Sequence, residues 1–287
     1  KFYKDNKHKY HTILCFGNVP PPIRCIANTF TYFHQPLFLS LPENLSFKNR
    51  LFYYLKTKVI NLLKRNTNTW LIQTPFVQNE LVRKFGISKS GTLVVPFYET
   101  FTNYNNKRIE NSFLYVSTGN PHKNHEILIK AFCNFYDRKK IGNLVLTVSD
   151  DYRDLVSIIN EKQNLGYPIR NIGFIGRREL EAIYNSNKFL IYPSLTESFG
   201  LGIIEAIEAG CNVIASDLPY VYEVCQPSIV FNPNSVSDIE MALEKACFEV
   251  VSNSQPKIQN KINTLIDLLV NSQLVGLPKL QNNDFKE

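Results

Sequence analysis

From Phe113 to Val250 the chain alternates short apolar runs with stretches of helical periodicity. Few architectures accept that order. Runs at 113–117, 144–149, 172–175, 189–192, 213–216 and 229–231 read as strands. Helical patterns at 125–138, 152–165, 178–185, 201–209 and 236–250 fall between or after them. Such alternation builds an α/β fold with a doubly wound parallel sheet, because a parallel crossover needs a helix to bring the chain back to the same edge. A further helical pattern, 258–270, is apolar at Ile262, Leu265, Ile266 and Leu269. The first hundred residues carry a weaker form of the same order. Strands are expected within 11–17, 23–34, 70–73 and 92–95, and helices at 46–65 and 77–85.

The 287 residues suit two medium domains. The expected division is a partial first domain at 1–100, a linker at 101–112, a second domain at 113–273 and a tail from 274 to 287. The polar run TNYNNKRIENS, 102–112, marks the linker. Hydrophobic residues make up 44% of the chain, enough for packed cores and too much for disorder. No run nears the roughly 20 apolar residues of a membrane span. The six cysteines (Cys15, Cys25, Cys133, Cys211, Cys225 and Cys247) form no Cys-x-x-Cys pair and read as core thiols of a cytoplasmic protein. Charge is uneven. Before residue 100 there are 14 lysines and arginines against 4 acids, so this third is expected to face an anionic partner. The chain starts at Lys1 and its one methionine is Met241. The expectation is that a further stretch of about 60–80 residues precedes it or that a separate chain supplies the missing part, since a complete first domain of this type needs more strands than 1–99 offers.

The richest stretch for chemistry is TESFGLGIIEAIEAG, Thr196 to Gly210. It follows an apolar run and holds Glu197 and Glu205 with Gly200 and Gly202 between them. A strand, a glycine turn and a helix start offer backbone N–H groups and the positive end of the helix dipole to a phosphate. A carboxylate on either side can accept from sugar hydroxyls. Without further context the same acids read as a helix cap and a surface charge.

Other positions are open on residues alone. His34 ends a strand, where it either closes the strand or faces a ligand crevice. Lys123 lies in the Gly119–His125 loop after the second domain's first strand. It reads as a phosphate ligand or as a solvated lysine. Arg177 and Arg178 follow Gly176, at a helix start. In 46–65 the apolar residues Leu51, Leu55, Val59, Leu62 and Leu63 recur at helical spacing among six lysines and arginines, with Ser46 as N-cap. That helix is either an ordinary domain helix with a solvated basic face or a contact for an anionic membrane surface.

The paired glutamates, with NIGFIGRRELEAIYNSNKFLIYPS before them, CNVIASDLPYVYEV and SIVFNP after them, and FLYVSTGNPHKNHEILIKAF further upstream, resemble the family 4 glycosyltransferases. The resemblance covers roughly 113–243, with a weaker piece before it. It implies two Rossmann-like domains of the GT-B type with a cleft between them, the first one partial. It implies transfer of a sugar, with retention of configuration, from a nucleotide-sugar donor to a glycan or polyprenyl-diphosphate-linked acceptor. Synthesis of a capsule, O-antigen or other surface polysaccharide is the expected setting, with the enzyme cytoplasmic or peripheral on the inner face of the plasma membrane. Glu197 and His34 are then expected beside the transferred sugar. Donor binding is expected from Lys123, Asn120, Gly176, Arg177, Glu205 and the backbone of Ser198, Phe199, Gly200 and Leu201. The resemblance gives Glu205 the ribose and Lys123 the diphosphate. Asn120 stands where relatives often carry an arginine, leaving less fixed positive charge. No Asp-x-Asp motif occurs, so neither a metal nor a cofactor is expected, and no nucleic-acid partner. Two other readings use the same motif: a non-catalytic nucleotide-sugar-binding fragment and a nucleotide-sugar epimerase.

Overall fold

A computed structural model of the chain describes residues 9–41, 47–104 and 107–271. The expected tail at 274–287, and Ser46 as a helix cap, lie outside the described residues. Two units form. One takes the chain up to Phe97 and again from Asn260; the other is Tyr98–Gln259.

The first unit holds four parallel strands in sequential order: β1 (Thr12–Phe16), β2 (Asn28–Phe33), β3 (Thr69–Ile72) and β4 (Thr92–Val94). Helix α1 (Phe47–Leu63) links β2 to β3, and α2 (Pro75–Phe85) links β3 to β4. The limits of α2 are written in its sequence. Thr74 accepts from the Val77 N–H, Pro75 fills the first turn, and Gly86 ends the helix at φ +60°. Strand residues alternate between two cores. Phe33, Trp70 and Ile72 pack with Ile60 of α1 and with Val77, Leu81 and Phe85 of α2. Phe30, Tyr32 and Leu71 face the other way, where Leu265 and Leu268 of the helix Ile262–Val270 cover them. Burial on both faces is why 70–72 reads as an unbroken apolar run, while β2 sets buried threonines beside its aromatic residues.

The second unit is a six-stranded parallel sheet. Its strands are β5 (Ile109–Tyr115), β6 (Asn143–Leu146), β7 (Ile169–Asn171), β8 (Asn187–Tyr192), β9 (Asn212–Ser216) and β11 (Ile229–Phe231), in the order β11-β9-β8-β5-β6-β7. Helices α3 (His125–Lys139), α4 (Arg153–Asn164), α5 (Arg177–Ser186), α6 (Leu201–Glu208), α7 (Pro219–Val224) and α8 (Val236–Phe248) fill the connections. A two-residue antiparallel pair, β10 (Cys225–Gln226) with β12 (Gln255–Pro256), closes the unit. No helix among the described residues is long and apolar enough to cross a membrane.

Three features depart from the sequence expectation. The polar run expected as linker is bonded into the second unit. The Thr102 N–H donates to Glu181 at 2.7 Å, and the Tyr104 N–H donates to Asn185 at 2.9 Å. Arg108 donates to the Tyr184 and Asn187 carbonyls, both at 2.8 Å, and to the Ala209 carbonyl. Polar side chains here satisfy helix ends rather than water. The helix at 262–270 belongs to the first unit, because its apolar face covers the strand residues named above. The strand expected at 172–175 lies three residues earlier, as β7. Asn171 bonds both the N–H and the carbonyl of Val148, Gly173 turns at φ +70°, and Phe174 is left exposed.

Candidate functional site

Strands β5 and β8 are neighbours at the centre of the second sheet. From β5 the sheet grows through β6 to β7; from β8 it grows the other way, through β9 to β11. The loops after β5 and β8 therefore diverge, which is the switch point where open α/β sheets take their ligands. These loops are 116–124 and 193–200, the two motifs singled out in the sequence.

They are tied to each other. The Leu195 N–H donates to the His122 carbonyl at 2.8 Å, and Ser194 Oγ donates to the same carbonyl at 3.3 Å. Tyr115 donates to the Lys123 carbonyl at 2.8 Å. Asn124 sits in the left-handed region, at φ +62°, which asparagine tolerates better than most residues. Its buried amide donates to the carbonyls of Pro193, 3.3 Å, and Pro233, 2.7 Å. The loop is thus held by its backbone, and the Lys123 side chain is left to act.

Lys123 Nζ stands 2.5 Å from Glu197 Oε1, with side chains 14% and 12% exposed. Tyr192 donates to the same carboxylate oxygen at 3.1 Å. Glu205, in the second turn of α6, is 3% exposed. Its oxygens accept from Arg177 and, at 3.1 Å, from the Tyr184 hydroxyl. Arg177 also donates to the Glu99 carboxylate, 3.0 Å, and carbonyl, 2.8 Å, and lies over the Phe101 ring. Both carboxylates are thereby paired, as buried charges must be. Between them the chain turns at Gly200, whose φ of +71° suits glycine, and enters α6.

Burial sets the titration of the groups around them. The Tyr184 and Tyr192 hydroxyls are held well above the ordinary phenol value, by burial first and then by the facing glutamates. Both stay protonated donors. His125 is pushed down to about 3 by burial, then by the charges of Lys123 and His122. His122 is lowered for the same first reason and by Lys123.

The structure brings Lys123 to Glu197 and Arg177 to Glu205. Gly176 precedes α5 as its N-cap, and Arg177 opens that helix. Asn120 bonds the Thr118 hydroxyl at 2.9 Å. Phe199 buries its ring in the core and Leu201 is exposed, so both would serve a ligand through backbone. His34 belongs to the first unit. There its backbone N–H donates to Asn18 at 2.7 Å, its ring stacks on Phe16, and burial lowers its titration. Among the described residues no group of three or more histidines, cysteines and acids is placed to hold a metal. Tyr184 and Tyr192 escape a reading of the sequence, because a tyrosine at an apolar position of a helix or strand reads as core.

Solved structures define the fold class. The chain is similar to TarM at 14% identity and a TM-score of 0.66, over 85% of this chain and 50% of that one. The fold is that of the GT-B glycosyltransferases. Residues 99–255 match the family of group 1 glycosyl transferases. That is more than half of the chain, and the chain belongs to this family. Among curated relatives, the serotype-specific mannosyltransferase WbdA of Escherichia coli is 31% identical over 131 residues, 44% of this chain and 16% of that protein. The O-antigen chain mannosyltransferase RfbU of Salmonella typhimurium is 28% identical over 139 residues, 48% of this chain and 39% of that protein. The matches thus span well under half the length of either relative.

Proposed function

We propose that this chain acts in transfer of a sugar from a nucleotide-sugar donor to a glycan or polyprenyl-diphosphate-linked acceptor, with retention and without a metal. Mannose is the sugar proposed, since the relatives named above are mannosyltransferases; O-antigen or other surface polysaccharide is the proposed product. The observation that carries the reading is one arrangement: Glu197 with Lys123 on one side of the α6 N-terminus, and Glu205 on the other, at the switch point of a parallel sheet.

The chemistry follows from that arrangement. The donor diphosphate is proposed to lie at the start of α6, where the helix dipole and the N–H groups of Ser198 to Leu201 favour an anion. Lys123 adds a point charge, and Asn120 a polar contact. As the glycosidic bond breaks, negative charge gathers on the departing nucleoside diphosphate. These fixed donors stabilise it there, which is how a site without a metal can supply much of the rate. Glu205 accepts from the ribose diol and Glu197 from hydroxyls of the transferred sugar. The turn at Gly176 and Arg177 borders the base. The departing phosphate takes the acceptor proton, so no side chain need form a covalent bond. Replacing His34 by alanine is proposed to slow transfer while leaving nucleoside diphosphate affinity unchanged.

A peripheral contact with an anionic membrane surface at the cytoplasmic face is proposed for the segment 46–65. In its support, α1 buries only Ile60, while Phe47, Leu51, Tyr54, Leu55, Val59 and Leu62 are exposed beside Lys48, Lys56 and Lys58.

The function is tested by titrating GDP-mannose and a panel of UDP-sugars in excess chelator, then following release of nucleoside diphosphate with and without acceptor. Binding and turnover that persist in chelator are expected. Binding without any turnover favours the fragment reading; interconversion of free nucleotide sugars favours an epimerase. No binding of any nucleotide would sink the proposal.

A further inference from the structure

Each glutamate of the site has the same two partners, a tyrosine hydroxyl and a cation. Glu205 takes Tyr184 and Arg177; Glu197 takes Tyr192 and Lys123. The cations have proposed roles near the donor, but the tyrosines have none in the transfer chemistry. Both are interior residues, Tyr184 fully buried and Tyr192 nearly so. A buried phenol needs a partner for its hydroxyl, and each of these has found a carboxylate. Tyr184 comes from α5 and Tyr192 from the last position of β8. Regular elements, rather than the loop itself, therefore set where the two carboxylates point.

Gly202 lies between them. A Cβ at this position would stand 3.3 Å from the Tyr184 hydroxyl oxygen and 3.4 Å from the Tyr192 ring. Glycine here lets both rings come in under the first turn of α6. The lone pairs supply the remaining step. A carboxylate offers about four acceptor directions. One taken by a tyrosine and one by a cation leaves two, the number that a pair of adjacent sugar hydroxyls requires.

We propose that Tyr184 and Tyr192 are positioning residues, Tyr184 aiming Glu205 at the ribose diol of the nucleotide and Tyr192 aiming Glu197 at the donor sugar. This rests on the nucleotide-sugar reading of the site. It predicts that the two tyrosines separate by which part of the ligand they affect, although both are buried and both approach Gly202.

The test is calorimetric titration with GDP and UDP, each beside its 2′,3′-dideoxy analogue, on the wild type, Tyr184→Phe and Tyr192→Phe. In the wild type, loss of the diol should weaken binding on the order of tenfold or more, as for hydrogen bonds to a charged acceptor. In Tyr184→Phe that penalty should shrink to within about threefold while the dideoxy form binds as before, which a general loss of packing would not produce. Tyr192→Phe should keep the penalty and lose the extra affinity of the nucleotide sugar over the free nucleotide. Gly202→Ala, which crowds both rings, should reduce both effects, and it decides the matter if Tyr184→Phe does not fold. A wild-type protein without a diol penalty overturns the reading of Glu205 and this inference with it. A wild-type penalty that survives intact in Tyr184→Phe, or in Gly202→Ala where the former cannot be made, overturns the inference alone.

Discussion

Replacing Glu197 by glutamine should tighten the binding of a free nucleoside diphosphate while it abolishes sugar transfer. The two effects have opposite signs, and the proposed site accounts for both. Lys123 is not waiting unpaired for a phosphate; its ammonium already lies 2.5 Å from the Glu197 carboxylate, and both side chains are largely out of water. An incoming diphosphate must share that ammonium and remain near a negative charge. A phosphate on the far side of Lys123 would lie about 6–8 Å from the carboxylate, where two like charges at an effective dielectric of about 20 repel by about 2 kcal/mol. Glutamine keeps the volume and an acceptor for Tyr192 but removes the charge. With part of the gain given back as Lys123 reorganises, binding should tighten by about 1–2 kcal/mol, or roughly five- to thirtyfold. Lys123→Met does the reverse. It removes the partner proposed for the phosphate and leaves Glu197 unneutralised, so affinity should fall by about 3 kcal/mol, on the order of a hundredfold. The double variant should land between the two. Calorimetry at fixed ionic strength reads all four proteins, and donor turnover reads the lost transfer. Weaker nucleoside diphosphate binding by Glu197→Gln would refute the reasoning, since the carboxylate would then be a ligand of the nucleotide rather than its competitor.

Arg108→Ala should cost about 2–4 kcal/mol of unfolding free energy, because it strips charged donors from the carbonyls of Tyr184, Asn187 and Ala209 together; Arg108→Lys, without the planar fork, should recover only part of it in urea titration. His125 is held at about 3 when folded, against about 6.5 when free, so the unfolded chain binds the extra proton. Its contribution to stability is therefore complete above about pH 6.5 and is lost as pH falls toward 3, at no more than about 1.4 kcal/mol per pH unit. Unfolding free energies of His125→Gln should fall less steeply over that range; an unchanged slope would assign the acid sensitivity elsewhere. Vesicles containing anionic lipid should co-sediment the protein at low salt, and added salt or the pair Lys56→Glu and Lys58→Glu should release it. Equal sedimentation with neutral vesicles would leave α1 as a solvated basic helix.

What could be read from the sequence was local. Glu197, Glu205 and the glycines between them lie in one window of 15 residues, and a strand–turn–helix pattern fixes their placement on the sheet edge. The central strands were equally legible, since burial on both faces leaves unbroken apolar runs at 189–192 and 213–215. The partners of the glutamates were not. Tyr184 lies 21 positions from Glu205, inside a helix whose apolar spacing accounts for it without any polar duty. Arg177 gave no sign that its guanidinium would bridge Glu99 and Glu205. In α1 the periodicity showed an apolar stripe but not its direction: Leu51, Leu55, Val59 and Leu62 are exposed, and Ile60 and Tyr53 are the residues that pack. At 172–175 the run IGFI has the composition of a strand. Its glycine instead takes a positive φ, and pairing with β6 ends at Asn171.

The helix Ile262–Val270 makes the first unit discontinuous in sequence. The second unit is one contiguous segment, so all of its strands have been synthesised by the time Gln259 is added. The first unit begins earlier and finishes later. On one face Phe30, Tyr32 and Leu71 have Leu14, Leu93, Val95 and Phe97 beside them, and Leu265 and Leu268 complete that cover only about 190–240 residues further along the chain. At ordinary rates of synthesis, about 5–20 residues per second, that delay is about 10–50 seconds. During it an apolar sheet face is only partly covered, while the second unit can already complete its core. The first unit is therefore the later of the two to become native, and a nascent chain stopped before residue 260 should present a chaperone with the part of that face that Leu265 and Leu268 cover.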